Sequence, residues 1–379
     1  MPVTPRPIET KRLTLRPFTR AELEADLVGR AEFEGAVVRE SGARVAPDWP
    51  NKHWEPAAVR WLLDKMDTFP DEPLWRAWMI FRKDDGGGRT LIGTMGFKGP
   101  PVSDGLVETG YGIVNSMWRR GYATEAHAAL VDWVRADPRV RGVCAHTMPN
   151  DPASGGVLRK SGLTHVGMVH DPEDGDIDRY EKWFVAPVRR DYDACAARVR
   201  GLLAGVAVPT FLQRQQAVTR AYWECFGSED PASESDWHAG RGVSWCGFYD
   251  IVPGVGGAEP TEMRLVCREP KPACSPIGLH GMCGRGWKEQ RGFVVRDVKV
   301  LGENYVACDP RDKSELVVAV ADEQAEPTPL PPQTLPPGGG VFDVDSYFPG
   351  AFTLDDLRGA ERVVRAAGLS CSEVAPSVL

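Results

Sequence analysis

The chain has 379 residues, 42% apolar and 26% charged, which suits two or three packed domains of about 100–200 residues each. Its formal net charge of −8 argues against a dedicated nucleic-acid binder, which carries a basic stripe. No apolar run approaches the ~20 residues that span a bilayer, and the stretch Met1 to Arg6 lacks the apolar core of a secretory signal. No membrane partner and a cytoplasmic location are therefore expected.

In chain order, Glu108–Val114 reads as a strand, and Tyr122, Ala126, Ala129, Leu130, Trp133 and Val134 form the apolar stripe of a helix. Between them lies a turn built from Trp118, Arg119, Arg120, Gly121, Tyr122, Ala123 and Thr124. Such a corner offers unpaired amides at a helix N-terminus, where partial positive charge favours phosphate. Gly121 and Ala123 lack bulk, so a pyrophosphate can approach the main chain, and Arg119 and Arg120 add cationic attraction. Read alone, the same residues also describe an ordinary strand–helix corner. Further on, Asp151 suits an N-cap, Pro152 the first helical position and Gly162 the residue after the helix, with Asn150 and Ser154 flanking the cap.

Together with the opening Thr10-Lys11-Arg12-Leu13-Thr14-Leu15-Arg16-Pro17, these motifs resemble the GNAT superfamily of acetyltransferases, in particular its RimJ/RimL-like branch, over about residues 8–187. The resemblance implies a mixed β-sheet flanked by helices and splayed open for acetyl-CoA. The pyrophosphate would rest on amides of about Arg119 to Thr124. Asn150 and Ser154 match positions that contact the pantetheine arm or the thiolate leaving group. Trp118 stands where the superfamily prefers Gln or Arg. Direct acyl transfer needs a deprotonated amine, and Glu108 is the candidate base, directly or through water. Glu108 also reads as a solvated strand carboxylate, and His127 and His146 read as structural. The acceptor amine is not identified by the sequence. Residues 30–75, with Trp49, Trp54, Trp61 and Trp75, are expected to help form its site, although such aromatics also read as core.

A first domain is expected over 1–187, closing on the strand-like Trp183–Phe184 before Pro187. Residues 188–208 read as a helical linker, with Val199, Leu202 and Leu203 apolar. A second domain follows over 209–379. It opens with a helix at about Phe211–Phe226, holds strands near Ser244–Tyr249, Met263–Cys267, Gly292–Val295 and Leu316–Val320, and ends in a helix at about Thr353–Ala367. The Pro-rich run within 322–340 reads as an exposed loop, because its prolines lack amide donors.

Of nine cysteines, only Cys144 lies in the first half of the chain, and no CxxC pair occurs, so no metal site is expected. The second half gathers Cys274, Cys283 and Cys308 with Trp245, Tyr249, Glu315, Asp343 and Asp345. On a strand, Asp343 and Asp345 share one face about 7 Å apart. Two such acids among apolar neighbours repel, and one pKa tends to rise. An exposed edge strand with two solvated acids is the other reading.

In that order these residues resemble free methionine-(R)-sulfoxide reductase, a GAF-fold enzyme, over about residues 209–370. The resemblance implies Cys308 as nucleophile, Cys274 as its resolving partner and Cys283 as an auxiliary thiol. Glu315, Asp343 and Asp345 would hold the substrate's polar groups and help protonate the sulfoxide oxygen, while Trp245 and Tyr249 pack around the methylthio end. A thiolate attacks the sulfoxide sulfur and a cysteine sulfenic acid remains. A second thiol condenses with it to a disulfide that an external dithiol such as thioredoxin reduces. The Cys274–Cys283 interval is one residue short of the family's spacing, and Tyr305 replaces a frequent histidine. Cys195, Cys225, Cys246, Cys267 and Cys371 read as buried apolar residues.

The expectation is an α+β chain of two domains, a GNAT mixed sheet followed by a GAF-like antiparallel sheet with helices. Its function would be a fusion of an N-acetyltransferase and a free methionine-(R)-sulfoxide reductase. The alternative is an acetyltransferase whose second half senses a ligand or oxidant without turnover. Expected partners are acetyl-CoA, free methionine sulfoxide, thioredoxin and an unidentified amine, with no nucleic acid. GAF-type relatives often pair through terminal helices, which leaves a homodimer open as the assembly.

Overall fold

The computed structural model describes residues 6–52, 54–70, 72, 75–101, 104–230, 233–254, 258–305, 308–322 and 339–379; of Glu234, Glu303, Asn304 and Asp322 it describes the backbone alone. Most of the Pro-rich loop, with Val306 and Ala307 before the third cysteine, lies outside the described residues. Two compact units emerge, Met1–Gly167 with Asp178–Val185, and Met168–Ile177 with Ala186–Leu379. Among the described residues no helix is long and apolar enough to cross a membrane.

The first sheet is built on strands β1 (Ile8–Glu9), β2 (Leu13–Pro17), β3 (Arg44–Val45), β4 (Ala77–Lys83), β5 (Arg89–Phe97), β6 (Leu106–Ile113), β7 (Gly142–Thr147), β8 (Thr164–Asp171) and β9 (Gly175–Trp183), with the end of β8 and the start of β9 counted in the second unit. They form one mixed sheet in the order β1-β2-β4-β5-β6-β7-β9-β8, with β3 alongside β5. Helices α1 (Arg20–Val28), α2 (Arg30–Ser41), α3 (Pro56–Thr68), α4 (Tyr122–Val134) and α5 (Pro152–Lys160) flank it. Trp78, Met79, Ile80 and Phe81 are all buried on β4, as expected of a central strand covered on both faces. On α4 the residues Ala126, Leu130, Val131 and Val134 are buried, each larger side chain contributing about 1.5–3 kcal/mol.

One feature of this sheet positions the site. β6 and β7 run parallel but pair only from Leu106↔Gly142 to Glu108↔Cys144. β6 continues to Ile113 and β7 to Thr147, so the two strands part beyond Glu108. The sheet is therefore mixed and splayed.

The second unit holds α6 (Tyr192–Leu203), α7 (Phe211–Phe226), α8 (Glu234–His238), α9 (Met282–Glu289) and α10 (Leu354–Arg365). Its strands are β10 (Trp245–Ile251), β11 (Glu262–Glu269), β12 (Ile277–Gly278), β13 (Phe293–Val295), β14 (Ser314–Asp322), β15 (Gly340–Ser346), β16 (Leu369–Cys371) and β17 (Ser377–Val378). The sheet order is β12-β11-β10-β15-β14-β13-β17, with β16 beside β14. Pairing is antiparallel except between β13 and β17. α7 and α10 pack on one side of this sheet, and α9 lies against β14 and β15. Alternation decides what each face sees. Cys246 points to α7, where its thiol reaches the Thr219 carbonyl at 3.6 Å, while Trp245 and Tyr249 line a pocket on the other face.

Residues 188–208 are not a free linker. α6 packs on α7 and α10, burying Tyr192, Cys195, Ala196 and Val199. Just before it, the Arg190 guanidinium pairs with Asp356 at 2.9 Å and donates to the Ala351 carbonyl at 3.0 Å, and Tyr192 Oη donates to Asp356 at 2.8 Å. Both charges are buried. The helical period was visible in the sequence, but a solvated and a packed helix share it. Residues 168–177, expected in the first domain, group with the second unit.

Candidate functional site

In the first unit, the turn before α4 takes its shape from two left-handed residues, Arg119 (φ 60°) and Gly121 (φ 80°). Gly121 serves as N-cap without any side chain capping the helix, which leaves the α4 N-terminus open to an anion. Arg119 and Arg120 are exposed beside it. The departure at Trp118 has a structural role, since its indole N–H donates to the Ile113 carbonyl at 2.7 Å and closes the turn.

Sequence reasoning missed a residue here. Arg12 pairs with Glu125 at 2.6 Å, donates to the Arg120 carbonyl at 3.0 Å and stacks its guanidinium 4.5 Å from the Tyr122 ring. It neutralises a carboxylate in the first turn of α4 and holds the cradle against the segment leading into β2. The pairing of position 12 with 125 has no local sequence signal.

α5 starts as expected. Asp151 accepts the Ser154 amide at 2.9 Å and its hydroxyl at 2.8 Å, Pro152 opens the helix and Gly162 has φ 87°. Tyr111 Oη on β6 donates to the Ser154 carbonyl at 2.8 Å, spanning the place where β6 and β7 have parted. Asn150 is exposed, one residue before the Asp151 cap.

Glu108 is held by two partners, His146 and Lys98. Its burial would raise the pKa, but the His146 hydrogen bond, with the charges of His146 and Lys98, holds it at about 2. Lys98 Nζ lies 2.6 Å away and His146 Nδ1 2.9 Å. Arg179 Nη1 lies 3.0 Å from His146 Nε2, on the far side of the ring from Glu108. An effective base works near the operating pH, so Glu108 would serve as the base only once an arriving amine had displaced these partners. His127 is buried and bonded to Thr109 at 3.0 Å.

In the second unit, strand register assembles the site. Trp245 on β10 lies opposite Asp345 on β15, and Asp345 lies opposite Glu315 on β14, forming one cross-strand row. Asp343 sits two residues along on the same face, between Gly247 and Val317. Gly247 is required there, because a Cβ would meet the Trp245 ring at 2.5 Å. Cys283, in the first turn of α9, brings its thiol within 4.8 Å of the Asp343 carboxylate. These residues and Cys308 line one pocket, together with Tyr305 and Asp312.

Asp343 and Asp345 do not lie on a solvated edge, since β15 runs between β10 and β14, Asp343 is 7% exposed and Asp345 is half-buried. Burial first, then mutual repulsion, pushes their protons on. Asp343 is raised to about 7, and Glu315 and Asp345 well above the carboxylate range. Asp312, which the sequence did not single out, is raised to about 6 by burial despite a 2.9 Å bond from Ser244.

Cys274 and Cys308 both reach solvent, and the two come together. Desolvation on the pocket side, then the hydrogen bond with Cys274, pushes the Cys308 thiol up to about 12. Trp245 Nε1 donates to the Lys271 carbonyl and Tyr249 Oη to the Cys274 carbonyl, each at 2.9 Å, so the two aromatic tips hold the loop that carries Cys274. A second tie was invisible in the sequence. Lys271 Nζ pairs with Asp309, the neighbour of Cys308, and both bond Tyr347 Oη, at 2.9 and 2.7 Å. Loop 271–274 and loop 308–309 are thereby clamped to one another. Cys195, Cys246, Cys267 and Cys371 are buried away from solvent, and Cys225 is half-buried.

A family model for the acetyltransferase (GNAT) domain matches residues 12–164. The uncharacterized N-acetyltransferase YjdG of Bacillus subtilis is 27% identical over 156 residues, covering 41% of this chain and 88% of that protein. The free methionine-R-sulfoxide reductase of Escherichia coli is 27% identical over 122 residues, covering 32% of this chain and 62% of that protein. A solved free methionine-R-sulfoxide reductase from Neisseria meningitidis, in complex with its substrate, is 19% identical with a TM-score of 0.36, covering 48% of this chain and 92% of its own. The chain thus joins an N-terminal half that resembles the GNAT acetyltransferases to a C-terminal half that resembles the GAF-fold free methionine-(R)-sulfoxide reductases.

Proposed function

We propose that the chain is a bifunctional enzyme, an acetyl-CoA-dependent N-acetyltransferase joined to a thiol-dependent reductase of free methionine-(R)-sulfoxide. The observation that carries the second activity is the meeting of Cys274 and Cys308 beside a pocket ringed by Glu315, Asp343 and Asp345. Cys308 attacks the sulfoxide sulfur while a protonated acid of the ring gives its proton to the oxygen. That oxygen passes to Cys308 as a sulfenic acid, and methionine leaves. The Cys274 thiol then displaces the hydroxyl as water and forms the disulfide, which a thioredoxin-type dithiol reduces with two electrons and two protons. Burial holds Cys308 as a thiol, so substrate binding has to supply its activation.

In the first unit, acetyl-CoA supplies the thioester. The open amides from Arg119 to Thr124, with Arg119, Arg120 and the Arg12 clamp, suit its diphosphate, and Asn150 and Ser154 suit its pantetheine side. The reading is tested with purified full-length chain, thioredoxin, thioredoxin reductase and NADPH. Free methionine-(R)-sulfoxide should drive NADPH consumption, Cys308→Ser should abolish it, and Cys267→Ser should keep most of it. Absence of turnover with demonstrably reduced cysteines would favour a sensing role for the second half.

A further inference from the structure

The thiol of Cys283 and the carboxylates of Glu315 and Asp343 bring one ligand atom each to within 4.8 Å of one another. They come from α9, β14 and β15, three elements packed together, so the cluster is held by the fold. All three residues are buried, and Asp343 Oδ1 has no hydrogen-bond partner although the residue is only 7% exposed. A buried carboxylate oxygen without a partner is costly and marks a place where something positive is received. Among the described residues lining this pocket, the cation is Lys271, whose ammonium is already engaged by Asp309 and Tyr347.

The kind of cation follows from the donor set. A primary ammonium is well served by carboxylates and gains nothing from a thiol. One sulfur with two carboxylate oxygens suits a borderline-soft divalent ion. Three protein ligands around an open fourth position is also a familiar zinc arrangement. We propose that the reduced second unit binds one zinc-class divalent cation through Cys283, Glu315 and Asp343, with its fourth position facing the pocket. The bound ion releases the thiol proton and the protons held by Glu315 and Asp343 to solvent, and it occupies the carboxylates that would otherwise receive a cationic substrate. That last consequence rests on the reductase reading; the binding itself does not.

The experiment uses the full-length chain, metal-free and held reduced by a phosphine, titrated with cobalt(II) as the spectroscopic probe and then with zinc(II). One equivalent of cobalt should produce a thiolate charge-transfer band with the visible bands of a four-coordinate ion, and zinc should displace it. The spectrum should survive in a Cys274→Ser/Cys308→Ser double variant. It should vanish in Cys283→Ala and need at least tenfold more cobalt in Glu315→Gln, whose near-identical shape guards against misfolding and whose circular dichroism is checked. A spectrum that persists in Cys283→Ala, or disappears in the double variant, places the ion on the exposed cysteine pair and overturns the proposal. So does an absent spectrum in folded wild-type chain. Sulfoxide turnover measured with a chelator tests the reductase reading separately: zinc binding without turnover sinks that reading and leaves the site standing.

Discussion

At the residue scale, Lys271 and Asp309 show how a surface-type ion pair can acquire a geometric task. Exposed pairs add at most about 1 kcal/mol to stability, and Lys271 is itself 36% exposed. Its value lies in joining the loop of Cys274 to the neighbour of Cys308. On the reductase reading, Asp309→Asn and Lys271→Ala should each lower kcat about tenfold, worth about 1.4 kcal/mol, through slower disulfide closure. KM for the sulfoxide should change little, and the double variant should be no worse than either single one. Steady-state kinetics of the three variants would check this, and additive losses would show that the two residues act separately. The resemblance to the reductase family pointed to Cys274, Cys308 and the acid trio, whose side chains would do the chemistry themselves. Lys271, Asp309 and Arg12 act only through long-range partners and leave no local trace.

At the scale of elements, the α10 N-terminus is a knot of buried polarity. Asp356 closes a capping box with Thr353 and also takes Arg190 and Tyr192. Removing one partner of a buried pair strands the other charge, at a cost of about 3–5 kcal/mol. Asp356→Ala should therefore destabilise the second unit by that order, in urea unfolding of the full chain. An Arg190→Met/Asp356→Leu pair should recover much of the loss, since both charges then disappear together. A recovery no better than the single variant would mean that the cap, and not the ion pair, carries the stability. Elements with a strong local signal were legible: α4 by its stripe, α5 by Asp151, Pro152 and Gly162. The role of α6 was not, because amphipathicity fixes which face is buried and is silent on the surface that buries it.

At the scale of the molecule, the two candidate chemistries sit in different units, with separate sheets. Gly121→Glu puts bulk, charge and an unfavourable backbone into the α4 cradle. It should weaken acetyl-CoA binding at least tenfold in calorimetry and leave sulfoxide turnover unchanged, while Cys308→Ser should do the reverse. Gly121→Ala, which adds only the backbone cost, should fall between wild type and Gly121→Glu. Loss of both functions in either variant would indicate coupling or general destabilisation.

The sequence by itself located the strand–turn–helix corner at Gly121, from residue type and short-range spacing, and it carried two family resemblances, the second of which supplied the candidate thiols and acids. Tertiary structure alone decided that Glu108 meets His146 and Lys98, and that Glu315 stands in register with Asp345. It also brought Cys283 over Asp343 from another element. The reason is physical: protonation and ligand geometry depend on burial and on neighbours within a few ångströms, and those neighbours here lie tens of residues away along the chain.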